Sequence, residues 1–499
     1  MIRSLVALGV VTGAIGCGSQ SPPSFYGDTK VITAIAPLEK DGFLAATRGG
    51  IVQFDEDLKP RTFGLGGLIN GQPPNDVWVE NGRIFATSAD FVAVWNGASF
   101  SVTSQVGPRK SEPVSASPGG FMVPPKPSWP ENDDPSFAPP IGNRGTHVTA
   151  VVGSSSALTA AWYGDGIWEN RGQGWQRLAS ADRDEFRYVR TMATWGDTLT
   201  LATFDGQIWQ QANGKWHKAK AIPGPQGSVY SLAPFQGQLI VGTFEDGIAR
   251  FEGNVWNQFS TPEITSNHAR HSVVFRDRLY VRLTTGQVDR YDGKNWTKNV
   301  FPWLLRGEAT CLEVSDGKLM VGQFGGWSEF DGEAWTHFLK IPELQGLVCT
   351  ALSTRNREVW FGTQGRGVLV YNRDTGRVTT FDQRHGLGND WVRRILIDKR
   401  GVVVGMFLTG AYVLHEGKFE RLTPDIEAEA TGLARDPRLG TLFVSSRQGL
   451  WRVDPEAAVN VPIRGLLNLE IQAMARVESG LWLGTPYGVV FVPWGSLRK

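Results

Sequence analysis

The sequence has few cysteines, no excess of charge of either sign and only one long apolar run outside its strand-like segments. Its 499 residues include 3 cysteines, without a Cys-x-x-Cys pair or a His/Cys spacing typical of metal sites, so we expect no metal and no cofactor. Lysine and arginine total 50 against 49 acidic residues, and no basic stripe occurs. This balance argues against a nucleic acid as partner.

The apolar run lies at the start of the chain, where Arg3 precedes Leu5–Val11. It is too short to span a bilayer and is typical of a secretory signal. The run leads to Ala14-Ile15-Gly16-Cys17, which resembles the lipobox of bacterial lipoproteins. We therefore expect residues 1–16 to be a lipoprotein signal peptide, Cys17 to be lipidated and residues 17–30 to form a lipidated tether. The alternative is an ordinary signal peptide that happens to contain a cysteine.

The residues after Cys17 bear on the destination of the exported protein. Gly18 and Ser19 follow it, and the absence of Asp there points to the outer membrane. We expect a lipid-anchored protein of the bacterial cell envelope that contacts the membrane through its N-terminal lipid.

Ser228–Phe259 shows the unit from which the rest of the chain is built. It contains four short segments rich in β-branched and aromatic residues, with glycine or other turn residues between them. The residue aligned with Gly242 recurs at steps of about 40 residues. These marker residues are Ala46, Ala86, Ala161, Ala202, Gly242, Arg282, Gly322, Gly362, Gly405, Ser445 and Gly484.

This period predicts an all-β fold, a β-propeller of about 12 four-stranded repeats. A degenerate repeat at 107–142 accounts for the one double-length step, with a projecting loop as the alternative for this proline-rich segment. Because rings of four to eight blades are usual, we favour two six-bladed rings over one very large ring. The domain boundaries expected are 31–265 for repeats 1–6 and 266–499 for repeats 7–12.

The last repeat has only a poor candidate for its fourth strand. Propellers often close by pairing a strand from one terminus with the blade at the other, which removes an exposed sheet edge. We predict that Phe25 and Tyr26, within Ser24–Gly27, complete the final blade.

The pattern V-x-x-I/L, G-x-L-W-x-G-T, then G-x-x-x-F/Y-D-G-x-x-W/F resembles the repeats of the two-component-regulator propeller family. The match runs through Val229–Phe259, Leu312–Phe338, Val348–Phe381, Val392–Leu422 and Met474–Val492. In that family such repeats form the periplasmic sensor halves of hybrid histidine kinases. The resemblance implies a propeller but specifies no ligand, and since no kinase or membrane helix follows residue 499 we expect no signal transmission by the same polypeptide.

Polar residues at the entries to several first strands are the candidate ligand contacts. An Arg cluster with neighbouring His can hold a carboxylate or a sugar acid, and a neutral His can act as a general base. The alternative is that strands lining a wet channel tolerate charged residues that pair locally. The candidates are Arg187, Arg190, His268, Arg270, His271, Asp390, Trp391 and Arg393.

Two function classes follow. The sequence favours a non-catalytic, sensor-like or scaffold-like envelope protein that binds a protein or a glycan, because no acid/base pair recurs at a recognisable spacing. No catalytic residue is assigned. The alternative is a secreted carbohydrate-active hydrolase or lyase that uses the His268, His271 and Arg393 region.

Two further residue sets have structural interpretations. The recurring Trp175, Trp216, Trp256, Trp296 and Trp335 are expected to bury their rings between blades, with each indole N–H satisfied locally.

Cys311 and Cys349 lie on first strands of adjacent repeats, one position out of phase, so they should face opposite sheet faces. We favour two buried free thiols, with a disulfide as the alternative.

Overall fold

The computed structural model describes residues 24–28, 30–38, 42–105, 148–154, 157–178, 181, 183–195, 198–220, 224–252, 255–304, 308–454, 459–462 and 469–497. Cys17, the signal peptide and the degenerate repeat predicted at 107–142 lie outside these residues. Within them, 44 strands form 11 four-stranded antiparallel sheets, which confirms the all-β propeller architecture. No helix of the described part is long and apolar enough to cross a membrane.

We number the strands along the chain and number the sheets, here called blades, from 1 to 11. Strand β1 is Ser24–Gly27. Blade 1 comprises β2–β5, at Ile32–Pro37, Phe43–Thr47, Gly50–Phe54 and Pro60–Thr62. Blade 2 comprises β6–β9, at Asp76–Glu80, Arg83–Thr87, Phe91–Trp95 and Phe100–Gln105. Blade 3 comprises β10–β13, at Val148–Ser154, Ala157–Trp162, Gly166–Asn170 and Trp175–Arg177. Blade 4 comprises β14–β17, at Val189–Trp195, Thr198–Thr203, Ile208–Ala212 and Lys215–Lys218.

The remaining blades follow the same plan. Blade 5 comprises β18–β21, at Ser228–Phe235, Gln238–Phe244, Ile248–Glu252 and Val255–Phe259. Blade 6 comprises β22–β25, at Ala269–Phe275, Arg278–Leu283, Val288–Tyr291 and Trp296–Thr297. Blade 7 comprises β26–β29, at Cys311–Ser315, Lys318–Gln323, Gly326–Phe330 and Trp335–Phe338. Blade 8 comprises β30–β33, at Cys349–Arg355, Glu358–Thr363, Val368–Asn372 and Val378–Phe381.

Blades 9 to 11 complete the series. Blade 9 comprises β34–β37, at Val392–Asp398, Gly401–Met406, Ala411–His415 and Lys418–Arg421. Blade 10 comprises β38–β41, at Ala430–Arg435, Leu442–Ser446, Gly449–Asp454 and Val459–Pro462. Blade 11 comprises β42–β44, at Ala473–Arg476, Gly480–Thr485 and Gly488–Pro493, together with β1. The helical segments described are short and lie at Gly64–Gly67, Asp184–Phe186, Pro342–Leu344, Gln383–His385 and Trp494–Leu497.

The second strand of blade 5 shows why a single sheet of this kind is not stable alone. In β19, five consecutive residues between Gln238 and Phe244 are buried, so both faces of the strand are covered. The outer strand β21 alternates exposed and half-buried residues instead. Neighbouring blades therefore supply the cover for the middle strands, as expected of stacked repeats.

Contacts between first strands show how the blades are grouped. The first strands of blades 5 to 11 contact one another in chain order, and the series closes because β18 also contacts β42 and β43. A shared apolar core at the closure contains Val229 and Leu232 of blade 5 with Ala473 and Val489 of blade 11. Blades 5 to 11 thus form a closed seven-bladed ring.

The other four blades form a separate series. Strand β2 contacts both β6 and β14, and β14 contacts β10, so blade 1 lies between blades 2 and 4. One core cluster accordingly joins Ile32 and Phe54 of blade 1 with Ala202 and Ile208 of blade 4. The predicted division into two six-bladed rings at 265/266 is therefore wrong, because blade 5 packs against blade 11 and belongs to the C-terminal ring.

Strand β1 closes the seven-bladed ring as predicted. It pairs antiparallel with β44, with Phe25 opposite Val490 and Tyr26 opposite Val489. From Ser24 onward the chain therefore runs from blade 11 through blades 1 to 4 and then to blade 5. Blades 1 to 4 are inserted between the outermost strand of the seven-bladed ring and its other strands.

The recurring tryptophans lie on the outermost strands, where they are half-buried and not fully buried as predicted. Trp256 stacks on Phe251 at 4.7 Å between ring centroids and lies 5.7 Å from Tyr26 of blade 11. The hydrogen-bonding part of the prediction is wrong for three of them, since the indole N–H groups of Trp216, Trp256 and Trp296 donate to no described residue.

Candidate ligand-binding site

A β-bulge at the start of the first strand aims one side chain per blade toward the axis of the seven-bladed ring. In blades 5, 6, 8, 9 and 10 the pairing with the second strand shifts by one residue, which leaves an extra residue out of register. In blades 7 and 11 the backbone N–H of Thr310 and Gln472 donates to the marker residue of the second strand. The seven residues at this level are Tyr230, Arg270, Thr310, Thr350, Arg393, Thr431 and Gln472.

All seven side chains line one cavity of about 460 Å³ at the mouth of the ring. A cavity of this size is within the range of small-molecule sites. We call this cavity the ring mouth. The marker-level residues Arg282, His271 and Arg394 also line it.

Threonine at the bulge position has a structural role. The hydroxyl of Thr431 donates to the carbonyl of Ile471 in the next blade at 2.7 Å, and Thr350 donates to the carbonyl of Val392 at 2.5 Å. Thr149 makes the same bond to Val189 in blades 3 and 4, at 2.6 Å. Thr310 makes no such bond, and arginine cannot make it, so the presence of arginine in blades 6 and 9 requires another explanation.

Arg270 rests on aromatic rings at the ring mouth. Its guanidinium carbon lies 4.7 Å from the ring centroid of Tyr230 and 5.9 Å from that of Phe244. No described carboxylate forms an ion pair with it. The contact leaves hydrogen-bond donors of a planar cation available at the edge of the cavity.

Arg393 is paired, in contrast to Arg270. Its Nε lies 2.5 Å from Oε1 of Glu429, whose other oxygen pairs with Arg447 at 3.1 Å. Although burial alone would raise the pKa of Glu429, these two guanidiniums hold it below its usual value. Glu429 therefore carries a negative charge that is shared between two arginines.

Arg282 is the most unusual residue of the ring mouth. It occupies the marker position, where the ten other described blades have glycine, alanine or serine. Burial, together with the charges of Arg270 and Arg393, lowers its pKa to about 10, even though Cys311 acts in the opposite direction. Its Nε has no hydrogen-bond partner among the described residues. Arg282 therefore places a positive charge at a position where the fold requires only a small side chain.

Arg394 and His271 lie at the same level. Arg394 donates to the carbonyls of Thr431 and Arg393, at 2.9 and 3.0 Å, and burial together with the charge of Arg393 lowers its pKa to about 10. His271 pairs in register with Arg282. Burial and the charges of Arg394 and Arg282 lower its pKa to about 3, so the imidazole is neutral at neutral pH.

The charges of the ring mouth do not balance. Arg270, Arg282 and Arg394 have no ion-pair partner among the described residues, while Glu429 is already shared by Arg393 and Arg447. Burial raises the pKa of Glu313, below this level, to about 7, although Arg394 opposes the shift. The site therefore presents excess positive charge in a partly desolvated cavity, which favours a bound anion.

Aromatic side chains border the cationic group. Trp391 stacks on Phe407 at 4.3 Å between centroids, and both line the cavity. The indole N–H of Trp391 has no described acceptor. Flat rings beside arginines suit a ligand that combines an apolar face with anionic groups.

The structure brings together only part of the predicted set. Arg270, His271, Trp391 and Arg393 line the ring mouth. Arg282, Arg394, Arg447, Glu429 and Tyr230 also line it but were absent from the predicted set. The signal for Arg282 was present in the sequence, because it alone places a charge at the marker position.

The other four predicted residues lie elsewhere. His268 packs on Phe244 at 4.7 Å, outside the cavity lining. The Asp390 side chain accepts a backbone hydrogen bond from Gln383, and its carbonyl accepts from Gly365 and Gly367, so it organises a turn.

Arg187 and Arg190 belong to the region of blade 4 and not to the seven-bladed ring. Arg187 pairs with the neighbouring Asp184 at 3.0 Å, and Arg190 lies 5.1 Å over the ring of Phe204. In the described residues no group of three or more His, Cys, Asp or Glu side chains is placed to hold a metal ion.

No protein-family model and no curated protein matches the chain. Among solved structures it is similar to the extracellular domain of the putative hybrid two component system BT3049 from B. thetaiotaomicron, at 14% identity and TM-score 0.45, over 90% of this chain and 60% of that one. The chain thus spans about 60% of the length of that structure. The corresponding domain of BT4673 from B. thetaiotaomicron is similar at 13% identity and TM-score 0.40, over 92% and 69% of the two chains.

A third similar structure comes from Porphyromonas gingivalis. It is PorZ, described as an essential bacterial surface component of the type-IX secretion system. Identity is 12% and the TM-score 0.32, with 93% of this chain and 79% of that chain covered.

Proposed function

We propose that this protein is an exported, non-catalytic propeller of the bacterial cell envelope that binds a glycan bearing carboxylate or sulfate groups at the ring mouth. The observation that carries the proposal is Arg282, a cation without an ion-pair partner at a position where every other described blade has a small residue. Arg270, on its aromatic support, provides a second cation facing the same cavity. The signal peptide, the lipid on Cys17 and the location in the outer membrane are part of the same proposal. They are supported by the sequence pattern alone.

A glycan fits the site better than a protein surface. The contacts lie in a concave cavity of about 460 Å³, while protein partners are usually bound over wider, flatter areas. The pair Trp391 and Phe407 offers aromatic faces for a sugar ring, and the arginines offer donors for its anionic group. A protruding acidic segment of a protein is the other ligand that this geometry accepts.

Affinity electrophoresis in native gels tests the proposal with alginate, a uronate polysaccharide, and with neutral dextran. The variant R270T/R282G/R393T replaces each arginine with a residue that other blades carry at the same position. We expect alginate to retard the wild-type protein at least ten times more strongly than the variant, and dextran to retard neither. A control that removes the exposed Arg61, Arg83 and Arg171 should behave as wild type.

Equal retardation of the wild type and of R270T/R282G/R393T by alginate would contradict binding at the ring mouth. A different result would indicate that the ring mouth binds a protein. In that case alginate would not retard the wild-type protein, and an acidic protein from solubilised envelope would retain the wild type but not the variant.

The hydrolase or lyase alternative has one observation in its favour. Glu313, with its pKa raised by burial to about 7, lies below the arginines and is suited to proton transfer at neutral pH. His271 is a weak base because its pKa is near 3. This alternative would be favoured if the wild-type protein released reducing ends from alginate and the E313Q variant did not.

A further inference from the structure

The two buried cysteines of the seven-bladed ring meet between blades 7 and 8. The Sγ atoms of Cys311 and Cys349 are 3.0 Å apart, closer than an ordinary van der Waals contact between two sulfurs. Cys311 is 2% exposed and Cys349 is 5% exposed. Both thiols are free and buried in the structure, as predicted, and they are in direct contact with each other.

Their positions on opposite sheet faces bring them together. In a propeller the front face of one blade packs on the back face of the next, so residues of opposite orientation on neighbouring first strands meet in the layer between them. Cys311 pairs in register with Gly322 on its own blade, and Cys349 pairs with Thr363. The one-position phase difference between the two cysteines is therefore the arrangement that places both sulfurs in one layer.

Gly322 leaves the space that the sulfurs occupy. A Cβ at this position would lie 2.4 Å from Cys311 Sγ and 3.3 Å from the Cβ of Cys349. The marker position thus has a specific steric requirement in blade 7. Both cysteines belong to the same apolar core cluster, with Leu352 and Trp327.

We propose that Cys311 and Cys349 form a disulfide that joins blades 7 and 8 beside the ring mouth. The bond forms during folding, before the two blades enclose the sulfurs, by exchange with an organic disulfide RSSR. The Cys311 thiolate attacks one sulfur of RSSR and releases RS⁻, and the Cys349 thiolate then displaces the second RS⁻ from the mixed disulfide. In balance, two protein thiols and RSSR give one protein disulfide and two RSH.

The bond has consequences for stability and for the candidate site. It closes a loop across a sequence separation of 38 residues, which restricts the unfolded chain. Cys311 lines the ring mouth next to Arg282, so the bond also fixes the spacing of the two blades on that side of the cavity.

Peptide mapping of the full-length protein tests the proposal. The protein is exported to the periplasm of an expression host and then unfolded with iodoacetamide in the absence of reductant. We expect tryptic fragments 307–318 and 341–355 to be linked, and to separate on reduction. Carbamidomethyl groups on both cysteines, or a link from either to Cys17, would overturn it.

Thermal melting gives a second measurement that does not depend on the mapping. Reduction in denaturant followed by refolding with reductant should lower the melting temperature of the wild type by several degrees. C349A should melt at the same temperature under both treatments. An equal response of wild type and C349A would overturn the proposal. It would leave the proposed ligand site standing, since that site depends on the arginines and is tested separately by the alginate assay.

Discussion

At the residue scale, the ring mouth is defined by departures from the chain's own repeats. Thr350 and Thr431 at the bulge position tie neighbouring blades together through their hydroxyls, a bond that arginine at 270 and 393 cannot make. Arg282 places a charge in a slot that other blades fill with glycine, alanine or serine. These substitutions cost stability and gain a cationic site, a relation often seen where a fold carries function.

Glu313 makes the stability of this region depend on pH. Burial raises its folded-state pKa to about 7 from the ordinary 4.5. Between these values the folded protein binds more protons than the unfolded chain, so stability falls as pH rises through this range. Above pH 7 the Glu313 carboxylate is ionised in both the folded and the unfolded state. The folded protein then bears the full free-energy cost of burying the charge.

E313Q should therefore be more stable than wild type at pH 8, by on the order of 2 kcal/mol, and similar to wild type at pH 4.5. Urea denaturation at both pH values measures the difference. Glu308→Gln, at an exposed carboxyl that lines the ring mouth, serves as control and should show no such trend. A constant difference between E313Q and wild type at the two pH values would show that Glu313 titrates normally.

The residues of the site could be predicted in part. Arg270, His271, Trp391 and Arg393 do line the cavity, because strand entries of a propeller face its axis. Arg187 and Asp390 have the same sequence context, but local partners decide their role, and those partners depend on turn geometry. The sequence shows Arg282 as the one charged residue at the marker position. The structure adds that this side chain lines the cavity.

At the element scale, β1 determines whether blade 11 has a free edge. It covers β44 along its length, and Tyr26 packs against Phe251 at 4.9 Å and against Trp482 at 6.2 Å. The strand was predictable because the last repeat has only three good segments. Its side-chain contacts with blade 5 could not be predicted, since they depend on which blades close the ring.

Tyr26→Ala should lower the free energy of unfolding by about 3 kcal/mol, because it removes an aromatic ring from the closure between blades 5 and 11. Chemical denaturation followed by tryptophan fluorescence measures the loss. Tyr188→Ala, at a side chain that is 49% exposed, provides the matched control and should cost less than about 1 kcal/mol. Equal losses for the two variants would contradict closure through β1.

At the scale of the whole molecule, the repeat period indicated blades but not their grouping. Every repeat has the same pattern, so nothing in the period distinguishes the last blade of one ring from the first of the next. Packing decides the matter, because Val229 of blade 5 lies against blade 11 in a common core. The equal division into six and six was an inference from usual ring sizes, and the contacts show seven blades in one ring.

The insertion of blades 1 to 4 leads to a deletion experiment. A Cβ on Gly224 would lie 2.3 Å from the carbonyl oxygen of Gly27, so the two crossing segments are in contact. Deletion of 29–223 joins Asp28 directly to Gly224, and the seven-bladed ring should fold as a β protein with a cooperative melt. Its melting temperature should be lower than that of the full chain, because Leu68 packs on the core of blades 10 and 11.

Circular dichroism and thermal melting measure the outcome of this deletion. Removal of 260–300, which contains blade 6, is the control and should abolish cooperative folding, since it opens the ring. A deletion protein lacking 29–223 that is unfolded, while the full chain melts cooperatively, would contradict an independent seven-bladed ring.

The most direct measurement of the central claim is a crystal structure of the full chain with an alginate-derived oligosaccharide. We expect a carboxylate of the sugar within hydrogen-bond distance of Arg282 or Arg270, with a sugar ring against Trp391. Carbohydrate bound away from the ring mouth, or an unoccupied mouth at millimolar oligosaccharide, would contradict the claim.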